Sequence, residues 1–584
     1  MKKEESLSYY LKNAKVINAN SSHKKIRIGL LGSFTINGLE ETLRVKCNER
    51  NINCITFVGN YNQYNQEILK KDSNFYQFKP ELTFLILDVR HVLGELFFRP
   101  YSIPLVERKE FVKEKIKELG KLISSITENS NSKIVITELQ IPTYSPYGIN
   151  DNKENYGITQ IVHEINYGIK KFIMNESSSY VYDFNKFIMR YGENNVFSFK
   201  QFFSGDIKIS TEFIPKFVDD LMGFIISIFS LTKKCIVLDL DNTLWGGIVG
   251  EDGFDKIRLG DDPIGRSFVE FQKRLLALNE RGIILAINSK NNANDAMKVI
   301  HDHPNMVLRE NNFASIVINW KDKVSNMKSI SDELSLGLDS FVFFDDDPIN
   351  REFVEKELPQ VMVIDLPKDP SEFGNIITKL NEFQAQTITE EDVNRNQMYL
   401  GQRKRKELEA DVGNFDEFLK EMNVQIEMNN ADNFSIPRIS QLILKTNQFN
   451  LTTKRYQEEE ISSFVNDDKK EIVYAKVSDK FGDNGITGVY IIDKQENEWL
   501  IDTFLLSCRI IGRGIEDSML CDIIEKARKS DIKKIKAKFI PTQKNAPTTD
   551  FLPNFGFTKD GEFWTFMTEE KIQYPSHIKR IKNE

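Results

Sequence analysis

A chain of 584 residues exceeds what one hydrophobic core organises, and at roughly 100–200 residues per domain it divides into several units. Its 78 Lys and Arg against 86 Asp and Glu leave a formal charge of −8, with no general positive field to hold a nucleic acid. The 40% hydrophobic and 11% aromatic content is enough to bury real cores, which excludes a disordered chain.

Residues 1–10 mix Lys2 and Lys3 with Glu4 and Glu5 and have no apolar stretch behind them, so they do not read as a signal peptide. Cys47, Cys54, Cys235, Cys508 and Cys521 are scattered and form no Cys-x-x-Cys pair, so a reducing cytoplasm is the expected compartment. No repeat of 20–50 residues and no low-complexity tract is present.

Short β-branched apolar runs at 26–31, 54–59, 82–89, 133–140 and 179–183 alternate with helical patterns such as 105–128. That order predicts a doubly wound parallel sheet. Its first strand ends in Gly32-Ser33-Phe34-Thr35, a strand-to-helix turn at the edge where such sheets hold ligands, which makes Ser33 a candidate ligand contact. The most apolar segment, LMGFIISIFSL at 221–231, is too short to span a bilayer core, which needs about 20 residues, and is expected as a buried helix.

A second α/β alternation begins at Lys233, with strands at 235–240, 283–288, 315–319, 341–344 and 361–365. Residues 387–419 are charge-rich and helical in pattern, and the basic run 403–406 reads as a solvated face or connector. Beyond it, runs at 471–477, 487–492 and 499–507 predict an antiparallel sheet followed by an amphipathic helix over 515–528. The expected organisation is an α/β unit at 1–230, a second at 231–385, a helical linker at 386–412 and an α+β unit at 413–584.

The chemistry concentrates in the second unit. Asp239 and Asp241 stand two residues apart at the mouth of the apolar strand that begins at Cys235, where unpaired carboxylates repel and a hard divalent cation relieves the repulsion. Mg²⁺ is the economical reading. Ser289, Lys323 and the run Asp345-Asp346-Asp347 follow later strands, and in a parallel sheet those strand ends converge. Together they supply a carboxylate nucleophile, a second carboxyl for proton transfer, a hydroxyl and an ammonium for phosphate oxygens, and acidic metal ligands. That set predicts phosphoryl transfer through an aspartyl phosphate.

The stretches DLDNTLWGGIVGEDG (239–253), SKNN (289–292), NWKDK (319–323) and FVFFDDDP (341–348) resemble the FkbH-like branch of the haloacid dehalogenase superfamily. The resemblance continues through KTNQFNLTTKRY (445–456), FGDNG (481–485), SCRIIGRGIE (507–516) and PTQKN (541–545). It implies Asp239 as nucleophile, Asp241 as acid/base, Lys323 as a catalytic cation, and Ser289, Lys323, Asn242 and Thr243 around phosphate. It also implies Mg²⁺ at Asp239, Asp241, Asp345 and Asp346, with Asp347 standing where the family often shows Asn. The stretch 245–260 is glycine-rich and reads as a flap carrying Trp245, and the spacing to Ser289 and then Lys323 leaves no room for a cap domain, so the site is expected to be open.

The last unit resembles GNAT acetyltransferases, with Arg509-x-x-Gly512-x-Gly514 between a strand and a helix as a pyrophosphate-cradling loop. The resemblance therefore implies an acyl or pantetheine site at Cys508, Arg509, Gly512 and Gly514. As an FkbH-like protein the chain is expected to load a glyceryl unit from 1,3-bisphosphoglycerate onto the phosphopantetheine thiol of an acyl carrier protein, for polyketide-type assembly. One departure stands out: Asn288 occupies a position where the family often has Cys, which leaves Cys508 as the thiol in a matching motif. The first unit resembles degenerate SGNH-hydrolase domains with Gly32-Ser33 at the nucleophile position, and without a late Asp-x-x-His it is expected to be non-catalytic. Two other readings stay open, a phosphatase fused to an acetyl-CoA-dependent acyltransferase, and a carrier-protein docking scaffold with a silent site.

Overall fold

The computed structural model describes residues 6–17, 24–412 and 414–581. The chain divides into two compact units, Met1–Leu231 and Thr232–Glu584.

The first unit is a parallel sheet of β1 (Lys24–Gly32), β2 (Ile52–Val58), β3 (Leu82–Ile86), β4 (Lys133–Thr137) and β5 (Ser179–Tyr182), in the order β2-β1-β3-β4-β5. Ile26, Ile28 and Leu30 of β1 pack to one side of the sheet and Leu31 to the other, as expected of a strand covered by helices on both faces. The apolar run at 221–231 supplies most of helix Ile214–Ile228, whose Leu221, Met222, Ile225 and Ile226 are buried against this sheet.

The second unit holds two sheets. One is parallel, with β6 (Cys235–Leu238), β7 (Ile284–Ser289), β8 (Phe313–Ile318), β9 (Phe341–Asp345) and β10 (Met362–Asp365) in the order β10-β9-β6-β7-β8. β6 lies at the centre, between β9 and β7, so its carboxyl end is flanked by two other strand ends. Only a short hairpin stands between β6 and helix Pro263–Glu280, closed by Gly246 N–H on Arg258 O at 3.0 Å and Arg258 N–H on Gly246 O at 2.7 Å. There is no cap domain between β6 and β7.

The other sheet is a mixed one built on an antiparallel core: β11 (Gln425–Asn430), β13 (Lys470–Asp479), β14 (Gly482–Lys494), β15 (Glu498–Leu506), β16 (Lys534–Ala537), β17 (Thr558–Asp560), β18 (Phe563–Met567) and β19 (Lys579–Ile581), with the two-residue β12 (Phe449–Asn450) on β15. The predicted strands at 471–477, 487–492 and 499–507 are β13, β14 and β15, and helix Ile515–Lys529 follows β15. β15 pairs with β16 only from Glu498 to Ile501. Beyond Ile501 the two diverge, and the chain's own segment 449–451 fills the gap: Phe449 and Asn450 pair with Leu506 and Leu505, Leu451 N–H reaches Phe504 O at 3.1 Å, and Ile540 N–H reaches Leu451 O at 2.8 Å.

The stretch expected as a linker is a packed element. Helix Arg395–Val412 is anchored to the parallel sheet by Arg395 on Gly282 O at 2.9 Å and Asn396 on Asn311 O at 2.8 Å. The basic run expected to be solvated departs in the same way. Arg403 reaches Glu310 at 3.2 Å, and Arg405, 3% exposed, makes a bidentate pair with Asp479 at 2.7 and 2.8 Å. The side chains of Lys404 and Lys406 lie outside the described residues. Helical periodicity turned these residues inward because β13 offers a buried carboxylate that needs a fork of donors. Arg513, 3.6 Å from Asp479, and the Phe481 N–H at 2.9 Å still face the acid when Arg405 is removed, so Arg405→Met is expected to cost about 2 kcal/mol of unfolding free energy in urea. A loss below about 0.5 kcal/mol would return the segment to a tether.

No described helix is long and apolar enough to cross a membrane.

Candidate active site

Asp239 directly follows β6, its N–H on Phe344 O at 2.9 Å, and its side chain is largely buried. Asp345 is the last residue of β9, the adjacent strand, and is fully buried. Oxygens of Asp239, Asp345 and Asp346 all lie within 4.8 Å of one another. Arg351 holds this corner by donating to the carbonyls of Asp345 at 2.8 Å and Asp346 at 2.7 Å.

Lys323, at the start of helix Lys323–Leu334, is 1% exposed and faces these acids, with Nζ 2.8 Å from Asp239 and 3.0 Å from Asp345. Nζ also donates to Asn288 O at 2.7 Å. Burial alone would push the Lys323 ammonium down, but Asp239 and Asp345 outweigh it and hold it above the ordinary lysine value. The acids are raised too, which for a carboxyl favours the neutral form. Burial and then the Asp239 charge raise Asp345, and burial followed by Asp239 and Asp345 pushes Asp346 up to about 6.

Mg²⁺ fits these residues. One ammonium cannot balance three carboxylates, and Asp239 Oδ1 and Asp345 Oδ2 are buried with no aligned hydrogen bond, although both lie close to Lys323. Oxygen ligands with unfilled acceptor capacity in an over-negative pocket suit a hard divalent ion.

Asp241, expected as a fourth metal ligand, points elsewhere. Its Oδ1 accepts Trp245 Nε1–H at 2.8 Å and Val249 N–H at 3.1 Å, and its Oδ2 accepts from Asn291 at 2.8 Å. Burial raises this carboxyl above the ordinary aspartate value, against the pull of those donors. Its carboxylate is thus held by the hairpin and the loop after β7, as suits an acid/base group. Trp245 is no mobile flap residue: it is fully buried, with the indole N–H as its one polar handle. Trp245→Phe keeps the ring and removes that donor, and is expected to lower kcat about tenfold at unchanged KM in steady-state phosphate release.

Ser289 closes β7 and is buried at the same edge of the sheet, where Asn319 N–H joins its carbonyl at 3.1 Å. Asn242 takes the left-handed conformation, φ 53°, and its Oδ1 accepts Gly247 N–H at 2.8 Å, bracing the turn. Thr243 is buried with a hydroxyl that has no described partner. Asp347 is a helix cap, accepting Ile349 N–H at 2.9 Å, and takes no place among the clustered carboxylates.

Asn288, where a thiol was the family's common residue, is fully buried. Its Nδ2 donates to Lys323 O at 2.9 Å and its Oδ1 accepts from Asn326 at 3.2 Å. With the Nζ contact to its own carbonyl, it clamps both ends of Lys323.

The other expected sites look different in place. Cys508 is half-buried. The Gly512 N–H that was to meet a phosphate is already bonded to Glu516 Oε1 at 3.0 Å, and burial pushes that carboxyl up to about 7. Gly514 lies against Pro575 and His577. The side chain of Arg509 lies outside the described residues.

In the first unit Ser33 is fully buried, its Oγ accepting Asp88 N–H at 2.8 Å, so it offers no exposed ligand contact. Asp88 is ion-paired to Lys208, and His91 sits 3.3 Å from Asp88 and 3.5 Å from Asp206. Among the described residues no base is bonded to the Ser33 hydroxyl.

Residues 27–226 match the family model described as FkbH, N-terminal domain. The N-terminal part of the protein BF1531 from Bacteroides fragilis, described as containing a phosphatase domain complexed with Mg, aligns at 27% identity over 66% of this chain and 100% of its own, with a TM-score of 0.60. The first unit is similar to an FkbH N-terminal domain. These similarities support an enzyme of phosphatase or transferase type. GNAT-family acetyltransferases from Staphylococcus aureus and Streptococcus pneumoniae align at 15% identity over 24% of this chain and 99% and 98% of their own, with TM-scores of 0.21 and 0.20. No curated protein matches the chain.

Proposed function

We propose that this protein is a Mg²⁺-dependent phosphatase and glyceryl transferase that dephosphorylates 1,3-bisphosphoglycerate and passes the glyceryl group to the phosphopantetheine thiol of an acyl carrier protein. The observation that carries the phosphatase half is Asp239 facing Lys323, Asp345 and Asp346 while Asp241 is held apart by Trp245 and Asn291.

An Asp239 oxygen attacks phosphorus, the P–O bond to the leaving group breaks, and Asp241 donates its proton to the departing oxygen. Asp241 then takes a proton from water, whose oxygen attacks the aspartyl phosphate and frees Asp239 and phosphate. Lys323 neutralises charge on Asp239 and on the transferred group throughout. Mg²⁺, held by Asp239, Asp345 and Asp346, supplies further charge neutralisation when bound. The raised carboxyl of Asp241 suits its alternation between acid and base.

The transfer half is supported by the match of residues 27–226 to an FkbH N-terminal domain and by the chemistry of an acyl phosphate, an activated electrophile for a thiol. A phosphatase acting without a carrier is favoured by one feature, the Gly512 amide already taken by Glu516. Intact mass of a holo carrier protein incubated with the enzyme, Mg²⁺ and freshly generated 1,3-bisphosphoglycerate separates the two. A glyceryl mass gain is expected, and phosphate release over an unchanged carrier would leave only the phosphatase.

A further inference from the structure

The loop after β7 is fixed residue by residue. The Ser289 carbonyl accepts Asn319 N–H at 3.1 Å, Asn291 Nδ2 donates to Asp241 at 2.8 Å, and Asn292 Oδ1 caps helix Ala293–Asp302 by accepting Asn294 N–H at 3.0 Å. Lys290 lies between these anchors, so its backbone is set while the residue is exposed. Its Nζ donates to Asn350 Oδ1 at 3.3 Å, in the first turn of helix Pro348–Glu357. β6 lies between β7, which leads into Lys290, and β9, which leads to Asn350. The lysine therefore reaches from one flank to the other across the end of the central strand, where Asp239 stands. Asn350 is itself at the site: its Nδ2 lies 3.4 Å from Asp345 Oδ1, which puts Lys290 Nζ within about 9 Å of that carboxylate.

What the charge meets sets Lys290 apart from Lys323 and Arg351. Lys323 is held by Asp239 and Asp345, and Arg351 is spent on the Asp345 and Asp346 carbonyls and on Asp365 at 3.0 Å. Lys290 meets a neutral amide, and among the described residues no carboxylate lies within ion-pair distance of it. An ammonium has three donors, so the Asn350 bond leaves two for a ligand.

We propose that Lys290 is a specificity residue of the phosphatase site, holding a second anionic group of the substrate while the phosphoryl group to be transferred sits at Asp239. The assignment rests on the phosphatase reading and names the class of substrate that site serves, a short-chain phosphate ester with an anion at its far end. A three-carbon skeleton with bonds of about 1.5 Å keeps two terminal phosphorus atoms roughly 6–8 Å apart, a span of the same order as the separation of Lys290 Nζ from the clustered acids. The charge-assisted bonds fall on the end of the molecule that does not react, so they bind substrate without changing the chemical step.

The test is hydrolysis, with Mg²⁺, of 3-hydroxypropyl phosphate, 1,3-propanediol bisphosphate and 3-phosphooxypropanoate, which differ only at the far end. The parent is expected to favour the bisphosphate over the hydroxypropyl ester about tenfold in kcat/KM. Lys290→Met is expected to remove that preference through KM, and Lys290→Arg to keep most of it. A preference shared by the carboxylate ester assigns Lys290 to any second anion, and one confined to the bisphosphate assigns it to a phosphate. Equal use of the three esters by the parent, hydrolysis of p-nitrophenyl phosphate and none of the three, or a methionine variant that keeps the preference or slows all three alike, overturns the proposal and leaves the phosphatase reading standing. A parent that hydrolyses none of the three nor p-nitrophenyl phosphate ends the phosphatase reading and this assignment with it.

Discussion

Asp239→Asn is expected to abolish phosphate release, by at least about a thousandfold, while the protein stays folded. The substituted amide matches the carboxylate in shape, so packing at the end of β6 is kept. What disappears is the oxygen nucleophile, and no other carboxylate can replace it. Asp345 is buried against Lys323, and Asp241 is turned to Trp245, Val249 and Asn291. Because the change removes one of three mutually repelling carboxylates, the urea midpoint is expected to hold or rise. Phosphate release at a rate near the parent's would place the nucleophile elsewhere and end the aspartyl-phosphate mechanism.

Lys323→Met carries the largest expected cost in stability. The ammonium is the only cation within salt-bridge distance of Asp239 and Asp345 among the described residues, and it is 1% exposed. Its removal leaves clustered buried carboxylates unbalanced, a change worth about 3–5 kcal/mol, with activity lost as well. Mg²⁺ is expected to recover part of that stability, because the ion replaces the missing positive charge. Urea unfolding of parent and variant, with and without Mg²⁺, reads both effects. A variant as stable as its parent without Mg²⁺ would mean that the three acids are not held as charged groups around the lysine.

The parts of this molecule that were legible in sequence are those set by local pattern. Parallel strands buried on both faces read as unbroken apolar runs, so β6, β7 and β9 are legible from Cys235, Ile284 and Phe341 onward. What escaped depends on partners far away in the chain. Asn291 stood in plain view within SKNN, but its bond to Asp241 spans fifty residues, and only the fold joins them. Asn288 looked like a lost thiol and is a clamp on Lys323, a role set by residues 35 and 38 positions on. The basic run 403–406 has the composition of a surface, and Arg405 is nevertheless buried because Asp479 waits on a strand 74 residues later. Charge composition records how many ions there are and is silent on which of them meet. His91 was visible as a residue and not as a neighbour of Asp88 and Asp206, since β3 and the 206–208 loop come together only in the folded unit.

The filled gap beside β15 bears on how a partner can be recognised. A divergence between two strands leaves backbone donors and acceptors exposed, and an extended ligand ordinarily binds there by adding itself as a strand. Here 449–451 has taken that position, held by pairing on β15 and by Asn545 on Asn450 O at 2.9 Å. A newcomer would have to exchange each of those bonds for one of its own, with no net gain in hydrogen bonding and a loss of the buried Phe449 and Leu451. Competition of that kind favours the resident segment, so strand addition at this edge of β15 is closed to any extended ligand.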